Sequence, residues 1–497
     1  MKNENTSEKY YICPYCLGRF KYDDFWFQCE KYGKKAEKEH GSWLDKLGLD
    51  NNKAAKLRED IRKKMSYDPE EGDLRTMILD DCDLGNFKHI GKTDGKSIPL
   101  GSNCYYCGNF ASKHICPNPE CHKVITINKN EKQYIVNLAG APSSGKSVYL
   151  GALLYQIKNQ LANMLGASNW TIELSSTADE LQRAFVANLR GNGWKNTDVM
   201  QTEPIIVTFV YHNQSSMSTR YSFIFYDVAG ELFASDDSAK NMIESAKQFS
   251  YPDYLIMFCD PTQMPEACRD VRESTNPKCS EKTKAFFGSD SHIPLNVRET
   301  MPETKRIANN VTEFIRGIIR LHSKDERDIE KADKILPTTV VACLSMIDEL
   351  YNVYSPEAEA KRKYLLPSTY LEDYNFPAFF KNLESKSLNL RKQLGQWRET
   401  AFLAEIESNY ATSVYIGVSA LGTDPDNLKN IKYLDSDFKP INVLDPLIWI
   451  INQDEESREI IKQVKPIDLS EFDFDDDDDG DGDGSSGGSS GDEDFDF

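Results

Sequence analysis

The feature that most constrains the fold is the run LAGAPSSGKSVYLGALL at residues 138–154. It fits the pattern G-x-x-x-x-G-K-S, preceded by an apolar stretch that predicts a strand and followed by one that predicts a helix. Glycines let a backbone curl around an anion, and several amides then point at it from the helix N-terminus. The pattern predicts a phosphate-binding loop. Its predicted contact residues are Gly140, Ser143, Ser144, Gly145, Lys146 and Ser147.

Within this loop, two side chains are predicted to bind different parts of a Mg²⁺-bound nucleotide. Lys146 supplies a positive charge to the β- and γ-phosphates of a nucleotide, and Ser147 places its hydroxyl on Mg²⁺. The loop alone identifies neither the base nor the reaction, so later parts of the chain decide both.

Short apolar runs alternate with longer amphipathic stretches from residue 133 onwards, which predicts an α/β domain built on a mostly parallel sheet. We place this domain at 133–462, with helical insertions at 261–336 and 350–411. The six runs that predict strands are QYIVNLAG, IIVTFVY, YSFIFYDV, DYLIMFCD, TTVVACLSM and SVYIGVSA. Apolar residues that predict one face of a helix in the first insertion are Ile307, Val311, Phe314 and Ile318.

A second nucleotide-site pattern follows the third of these runs. Asp227 and Gly230 form D-x-x-G at a strand end, where a carboxylate can hold Mg²⁺ through water and a glycine amide can meet a γ-phosphate. Thr202 precedes a strand and is a candidate switch threonine that binds Mg²⁺, with Thr197 and Thr177 as alternatives. These residues predict a site that responds to a triphosphate.

The order of these motifs resembles the translation-factor-like and Ras-like (TRAFAC) class of P-loop GTPases. The resemblance implies GTP and GDP as ligands, Mg²⁺ as cofactor, and hydrolysis of the γ-phosphate. It implies a catalytic set of Lys146, Thr202, Asp227, Gly230 and Glu231. Glu231 stands where many relatives carry a water-orienting Gln. Because a carboxylate repels phosphate oxygens, we expect slow intrinsic turnover and an unidentified protein partner or activator.

Two further positions match the base-recognition motifs of that class. Asp348, in Ser345-Met346-Ile347-Asp348, stands at the place of the family's aspartate that accepts hydrogen bonds from guanine. Ser419 and Ala420 resemble the S-A-x motif, whose alanine amide contacts the guanine oxygen. Met346 replaces the family's lysine, which departs from the pattern. With its cysteine-rich front and large insertions, the chain is similar to bacterial double-GTPase proteins, which implies a conflict or defence-type setting.

Eight of the twelve cysteines precede residue 122. In a reducing compartment this favours metal ligands over disulfides. The spacing Cys104-x2-Cys107-x8-Cys116-x4-Cys121 predicts a zinc ribbon at 98–130, a closed structural Zn²⁺ site with four thiolates.

A third pair, Cys13-x2-Cys16, predicts a zinc knuckle at 1–30, with Cys29 as a third ligand and either Cys82 or His40 as a fourth. An interleaved alternative, in which Cys13 and Cys16 join Cys116 and Cys121, stays open. Between the two cysteine segments, residues 31–97 predict a polar helical insertion.

Charge and hydropathy limit the classes of partner that the chain is expected to bind. The formal net charge is −20, and the last 26 residues hold twelve acidic groups without a basic one, which leaves −8 for the rest. A mildly acidic body does not favour nucleic acid as the main partner. Because no run is long and apolar enough for a membrane helix or a signal peptide, we expect no membrane association and a cytoplasmic location. Residues 463–497 predict a disordered acidic tail.

Three functions fit these observations. The first is a slow GTP-hydrolysing switch coupled to partner recognition through the zinc module. The second is a P-loop ATPase, for which Met346 leaves room. The third is a scaffold that binds nucleotide with little hydrolysis.

Overall fold

The structure is a computed structural model of the chain. It describes residues 10–21, 26–28, 102–103, 110–111, 113–116, 118, 121, 123–127, 131–142, 144–161, 170–189, 203–212, 218–227, 252–288, 303–322, 330, 334–354, 365, 376–422 and 438–453. The predicted insertion 31–97 and the predicted tail 463–497 lie outside these residues.

The strands fall into a short N-terminal group and a longer group that follows the cysteines. The first group comprises β1 Tyr10–Ile12, β2 Arg19–Lys21, β3 Trp26–Gln28, β4 Ser102–Asn103, β5 Phe110–Ala111, β6 Lys113–Ile115 and β7 Val124–Ile125. The second comprises β8 Glu131–Gly140, β9 Trp170–Leu174, β10 Ile205–Tyr211, β11 Thr219–Asp227, β12 Tyr254–Cys259, β13 Leu336–Leu344 and β14 Tyr410–Gly417.

Helices connect the strands of the second group. They are α1 Lys146–Gln156, α2 Ser176–Ala187, α3 Pro265–Arg272, α4 Glu281–Gly288, α5 Glu303–His322, α6 Ile347–Tyr351, α7 Phe376–Gln396, α8 Thr400–Asn409 and α9 Asp445–Gln453. A π-helical turn at Ile157–Leu161 extends α1. Among the described residues, no helix combines the length and the apolar character that a bilayer crossing requires.

The longer strands form one seven-stranded sheet in the order β14-β13-β12-β8-β11-β10-β9. Only β10 is antiparallel to its neighbours, β11 and β9, so six of the seven strands run in one direction. This confirms the predicted α/β class with a mostly parallel sheet. All six predicted strands are present, and β9 is an additional edge strand.

The sheet carries a hydrophobic core on each face. One core packs α1, α2 and α9 against the strands, with Leu150, Phe185 and Leu447 among its buried residues. The other packs α3, α5 and α8, where Val311 and Phe402 are buried. The helix predicted from Ile307, Val311 and Phe314 is α5, and all three side chains are buried.

The chain changes direction across the sheet at β8. From β8 the chain passes to β9, β10 and β11 on one side, and then to β12, β13 and β14 on the other. In open α/β sheets, ligands bind outside the carboxyl ends of the strands at such a switch point. By this general rule, the end of β8, where the G-x-x-x-x-G-K-S run begins, is the position at which a ligand is expected.

The first group of strands belongs to a small unit that we name the cysteine module, comprising the described residues in 10–28 and 102–127. Strand β3 pairs with β6, and β6 pairs with β7, so both predicted cysteine segments contribute to one sheet. The module packs on the large sheet beside α3, α5 and α8, where Ile135 and Ile224 meet Ile12 and Leu17.

Candidate functional site

The loop between β8 and α1 needs its two glycines for different reasons. A Cβ at Gly140 would lie 2.9 Å from the Cβ of Phe258 and 2.9 Å from Ser144 Oγ, closer than side chains approach. Gly145 has open space around it, but its φ is +88°, a left-handed conformation that favours glycine. The first glycine therefore provides room and the second provides the turn into α1.

Lys146 folds back over this loop. It is 7% exposed, and its Nζ donates hydrogen bonds to the carbonyl oxygens of Gly140 at 3.1 Å and Ala141 at 2.9 Å. These bonds satisfy a buried ammonium group that would otherwise be costly. They hold its positive charge against the loop backbone, at the carboxyl end of β8.

The N-terminus of α1 is suited to an anion. Gly145 is its N-cap and provides no side-chain cap, and the first turn contains no acidic residue. The amides of a first helical turn have no partner within the helix. Ser144 Oγ is buried and has no hydrogen-bond partner among the described residues. The helix N-terminus, a buried hydroxyl and the Lys146 ammonium together match the chemistry of a phosphate group.

Ser147 and Asp227 meet although they are 80 positions apart. Ser147 Oγ donates to Asp227 Oδ2 at 2.5 Å, joining the first turn of α1 to the end of β11. Burial raises the pKa of Asp227, while the Ser147 hydrogen bond and the Lys146 charge act to lower it. A hydroxyl and a carboxylate are the hard oxygen donors that Mg²⁺ takes, so this pair fits the predicted Mg²⁺ site.

The predicted base-recognition residues lie at neighbouring strand ends. Val418 N donates to the Leu344 carbonyl at 2.8 Å, and Ile347 N donates to the Val418 carbonyl at 3.4 Å. These bonds hold the segments after β13 and β14 together, so that Ile347, which precedes Asp348, lies beside Val418, which precedes Ser419.

Two local turns shape this edge. Met346 adopts φ +54° and starts the turn into α6, a left-handed conformation that is uncommon for a methionine. Ser419 Oγ accepts a hydrogen bond from Gly422 N at 2.9 Å. The Ser419 side chain therefore closes its own loop, and the adjoining Ala420 backbone is held in place by it.

The remaining predicted nucleotide-site residues, Ser143, Thr202, Gly230 and Glu231, lie outside the described residues. Their expected roles stay predictions. The structure brings together the described members of the loop and Asp227, and it places Asp348, Ser419 and Ala420 along the same edge of the sheet.

The cysteine module contains a second candidate site. The thiol sulfurs of Cys13, Cys16, Cys116 and Cys121 all lie within 4.8 Å of one another. Cys13 Sγ is 3.8 Å from Cys121 Sγ, and Cys16 Sγ is 3.5 Å from Cys116 Sγ. In a tetrahedral zinc site with Zn–S bonds of about 2.3 Å, the sulfurs stand about 3.8 Å apart. The four cysteines are therefore close enough to bind a metal, and their spacing is compatible with zinc.

This grouping favours the interleaved alternative over the leading prediction for the cysteines. Among the described residues, Cys116 and Cys121 group with Cys13 and Cys16, so the cluster reaches four sulfurs without Cys104 and Cys107. The pairing of β3 with β6 explains the difference, since it draws the N-terminal segment against the strand that precedes Cys116. Cys29, Cys104 and Cys107 lie outside the described residues.

Sequence reasoning missed the contact between the module and the large sheet. Tyr226, the residue before Asp227, donates from its hydroxyl to the Pro14 carbonyl at 2.5 Å. Gln133 on β8 exchanges two hydrogen bonds with the backbone of Ile12, at 2.8 and 3.2 Å. Nothing in the sequence around these residues signals this role, because each reads as an ordinary strand residue.

The chain matches no known family model and no curated protein.

Proposed function

We propose that the chain is a nucleotide-dependent switch that binds Mg²⁺ and GTP at the β8–α1 loop and slowly hydrolyses the γ-phosphate. The observation that carries the proposal is the 2.5 Å hydrogen bond from Ser147 in the first turn of α1 to Asp227 at the end of β11. A serine and a carboxylate from different elements thus meet beside the loop that joins β8 to α1.

Different described residues bind the phosphate groups and the metal ion. The amides of the first turn of α1 and the Ser144 hydroxyl bind phosphate oxygens, and Lys146 balances their charge. Ser147 and Asp227 hold the metal ion, which when bound neutralises charge that develops on the β- and γ-oxygens. Phosphoryl transfer depends mainly on such positioning and charge neutralisation, so this set of residues suits it.

Recognition of the base is the second part of the proposal. Asp348 accepts hydrogen bonds from guanine, and the Ala420 amide donates to the guanine oxygen. Met346 is the observation that favours an ATPase instead, because its side chain brings no charge to the base.

Nucleotide titration distinguishes these two proposals. We expect purified protein in Mg²⁺ to bind GTP more tightly than ATP. The variant Asp348→Asn should weaken GTP binding about 10- to 100-fold, because hydrogen bonds to a charged group contribute about 1.5–3 kcal/mol. It should leave ATP binding unchanged. Isothermal titration calorimetry of both nucleotides provides the measurement.

Glu349→Gln is the matched control, since Glu349 is the next residue and its side chain accepts from Thr283 at 2.7 Å. It should preserve the preference for GTP. Tighter binding of ATP, unaffected by Asp348→Asn, would reject the guanine site and favour the ATPase.

Turnover tests the catalytic half of the proposal. We expect steady-state GTP hydrolysis well below about 10 per second for the isolated chain, because unassisted GTPases are far slower. Faster turnover would contradict the need for a partner or activator. Tight binding with no hydrolysis above background would identify a nucleotide-binding scaffold.

A further inference from the structure

The cysteine module touches the large sheet next to the candidate Mg²⁺ site. Tyr226 is 8% exposed, and its hydroxyl donates to the carbonyl of Pro14, which lies between the first two cysteines of the cluster. Asp227 follows Tyr226 in β11 and accepts from Ser147 on the other side. Two successive residues at the end of β11 thus make different contacts: Tyr226 contacts the segment that contains Cys13 and Cys16, and Asp227 contacts the first turn of α1.

Apolar packing fixes the same contact. Ile135 and Ile224 are almost fully buried where Ile12 and Leu17 cover them. Gln133 adds its two hydrogen bonds to Ile12. The backbone on both sides of Cys13 is therefore held against β8 and β11, the two strands that lead into the candidate nucleotide site.

The module and the sheet are not in contact everywhere along these strands. Towards the start of β8 and β11, a cavity of about 330 Å³ separates the module from the sheet. Its floor is polar, and the buried Glu131 there accepts from Ser222 at 2.7 Å. Tyr226, next to Asp227, does not line this cavity, and its hydroxyl contacts Pro14 directly.

A second contact reaches the strand beside β11. Lys123, two residues after Cys121, lies 3.6 Å from Glu203, just before β10. Both side chains are about half exposed, so the ion pair itself contributes little. It shows that the other half of the cysteine cluster also adjoins the nucleotide-binding domain.

We propose that metal binding by the four cysteines and Mg²⁺-nucleotide binding at the loop are energetically coupled, with Tyr226 as the positioning residue between them. This inference rests on the proposed function. Docking of the metal-bound segment orders the end of β11, and nucleotide binding orders the same end through Asp227. When one ligand has already restricted this segment, the second restricts it at a lower entropic cost, so the coupling is positive.

Coupling between two sites is reciprocal, and this makes it measurable from the metal side. We expect a non-hydrolysable GTP analogue with Mg²⁺ to tighten zinc binding by about fivefold or more, and to slow the release of zinc from the zinc-loaded chain to a chromogenic chelator accordingly. Calorimetry with the same analogue first establishes that it binds.

Tyr226→Phe keeps the ring and removes the hydroxyl. It should bring the ratio of the zinc-release rates measured without and with the analogue close to one, while zinc stoichiometry and nucleotide binding persist. Tyr410→Phe is the matched control. Tyr410 begins β14, the edge strand three places from β8, and its buried hydroxyl lies 3.0 Å from Thr312 Oγ1 on α5, so its loss should keep the full ratio. Gln133→Ala provides a second disruption of the interface if Tyr226→Phe folds poorly.

The outcomes separate the two proposals. If the analogue does not bind, the proposed function fails and the inference fails with it. If the analogue binds but zinc release is unchanged, the coupling alone is rejected. If the analogue slows release equally in wild type, Tyr226→Phe and Gln133→Ala, the sites are coupled by another route and Tyr226 is not the positioning residue.

Discussion

Glu399 shows how a single buried carboxylate makes stability depend on pH. It is 3% exposed, and one of its oxygens accepts from the Thr304 hydroxyl, which ties the start of α8 to α5. Burial raises the pKa of Glu399, and the Thr304 hydrogen bond only partly opposes this. In the folded protein the group therefore resists ionisation more than it does in the unfolded chain.

The sign of the effect follows from this shift. Below the ordinary pKa of about 4.5 the group is neutral in both states and causes no penalty. As pH rises through the raised folded pKa, the buried charge reduces stability. We expect Glu399→Gln to increase the free energy of unfolding at neutral pH by about 1 kcal/mol or more. Urea denaturation at pH 4 and pH 7.5 measures the difference.

Thr304→Val is the control for this prediction, because it removes the donor and leaves the carboxyl group. It should destabilise the wild-type chain more at pH 7.5 than at pH 4. A gain from Glu399→Gln that is the same at both pH values would show that ionisation of Glu399 is not the cause.

At the scale of elements, the features that depend on local sequence pattern could be predicted from the sequence. The six predicted strands are apolar nearly throughout, and the loop between β8 and α1 could be predicted because its motif is a run of contiguous residues. Strand β9 was missed because it is only five residues long and lies at the sheet edge, where it pairs with β10 alone and where Trp170 is its one buried residue. A run this short does not stand out from a loop.

The cysteine partners could not be chosen from sequence for a different reason. Four thiolates make an equally good zinc site in either grouping, so spacing cannot decide between them. The observed grouping joins residues 100 and 108 positions apart, Cys16 with Cys116 and Cys13 with Cys121. It depends on strand pairing, which is a tertiary property.

Metal stoichiometry tests this grouping. We expect Cys13→Ser and Cys121→Ser each to lose one equivalent of zinc, and the double variant to lose no more than either single variant, because both residues serve one ion. Mass spectrometry under native conditions counts the metal. Full retention by Cys13→Ser, with loss in Cys121→Ser, would return Cys121 to a sequential ribbon.

At the scale of the whole molecule, the seven-stranded sheet is shared by both cores. Val136 and Leu138 of β8 belong to one core, and Ala139 of the same strand belongs to the other. Residues that alternate along one strand thus take part in packing on both faces. A ligand that binds at the end of β8 is therefore expected to stabilise both cores together.

We expect the Mg²⁺–GTP analogue, at a free concentration a hundredfold above its Kd, to raise the apparent free energy of unfolding by about 2.7 kcal/mol. Chemical denaturation followed by tryptophan fluorescence measures it. Lys146→Ala, at the same ligand concentration, should show little of this gain. An equal gain in the variant would mean that the ligand binds away from the loop.

The long separation within the cysteine cluster has a consequence for biosynthesis. A growing chain presents Cys13 and Cys16 about a hundred residues before their partners Cys116 and Cys121, and the strip around Ile224 that the module covers comes later still. A metal ion held by all four cysteines can therefore bind only after Cys121 has been synthesised. We expect a chain made without the metal to cover Ile135 and Ile224 less well, because Ile12 and Leu17, which cover them, flank Cys13 and Cys16.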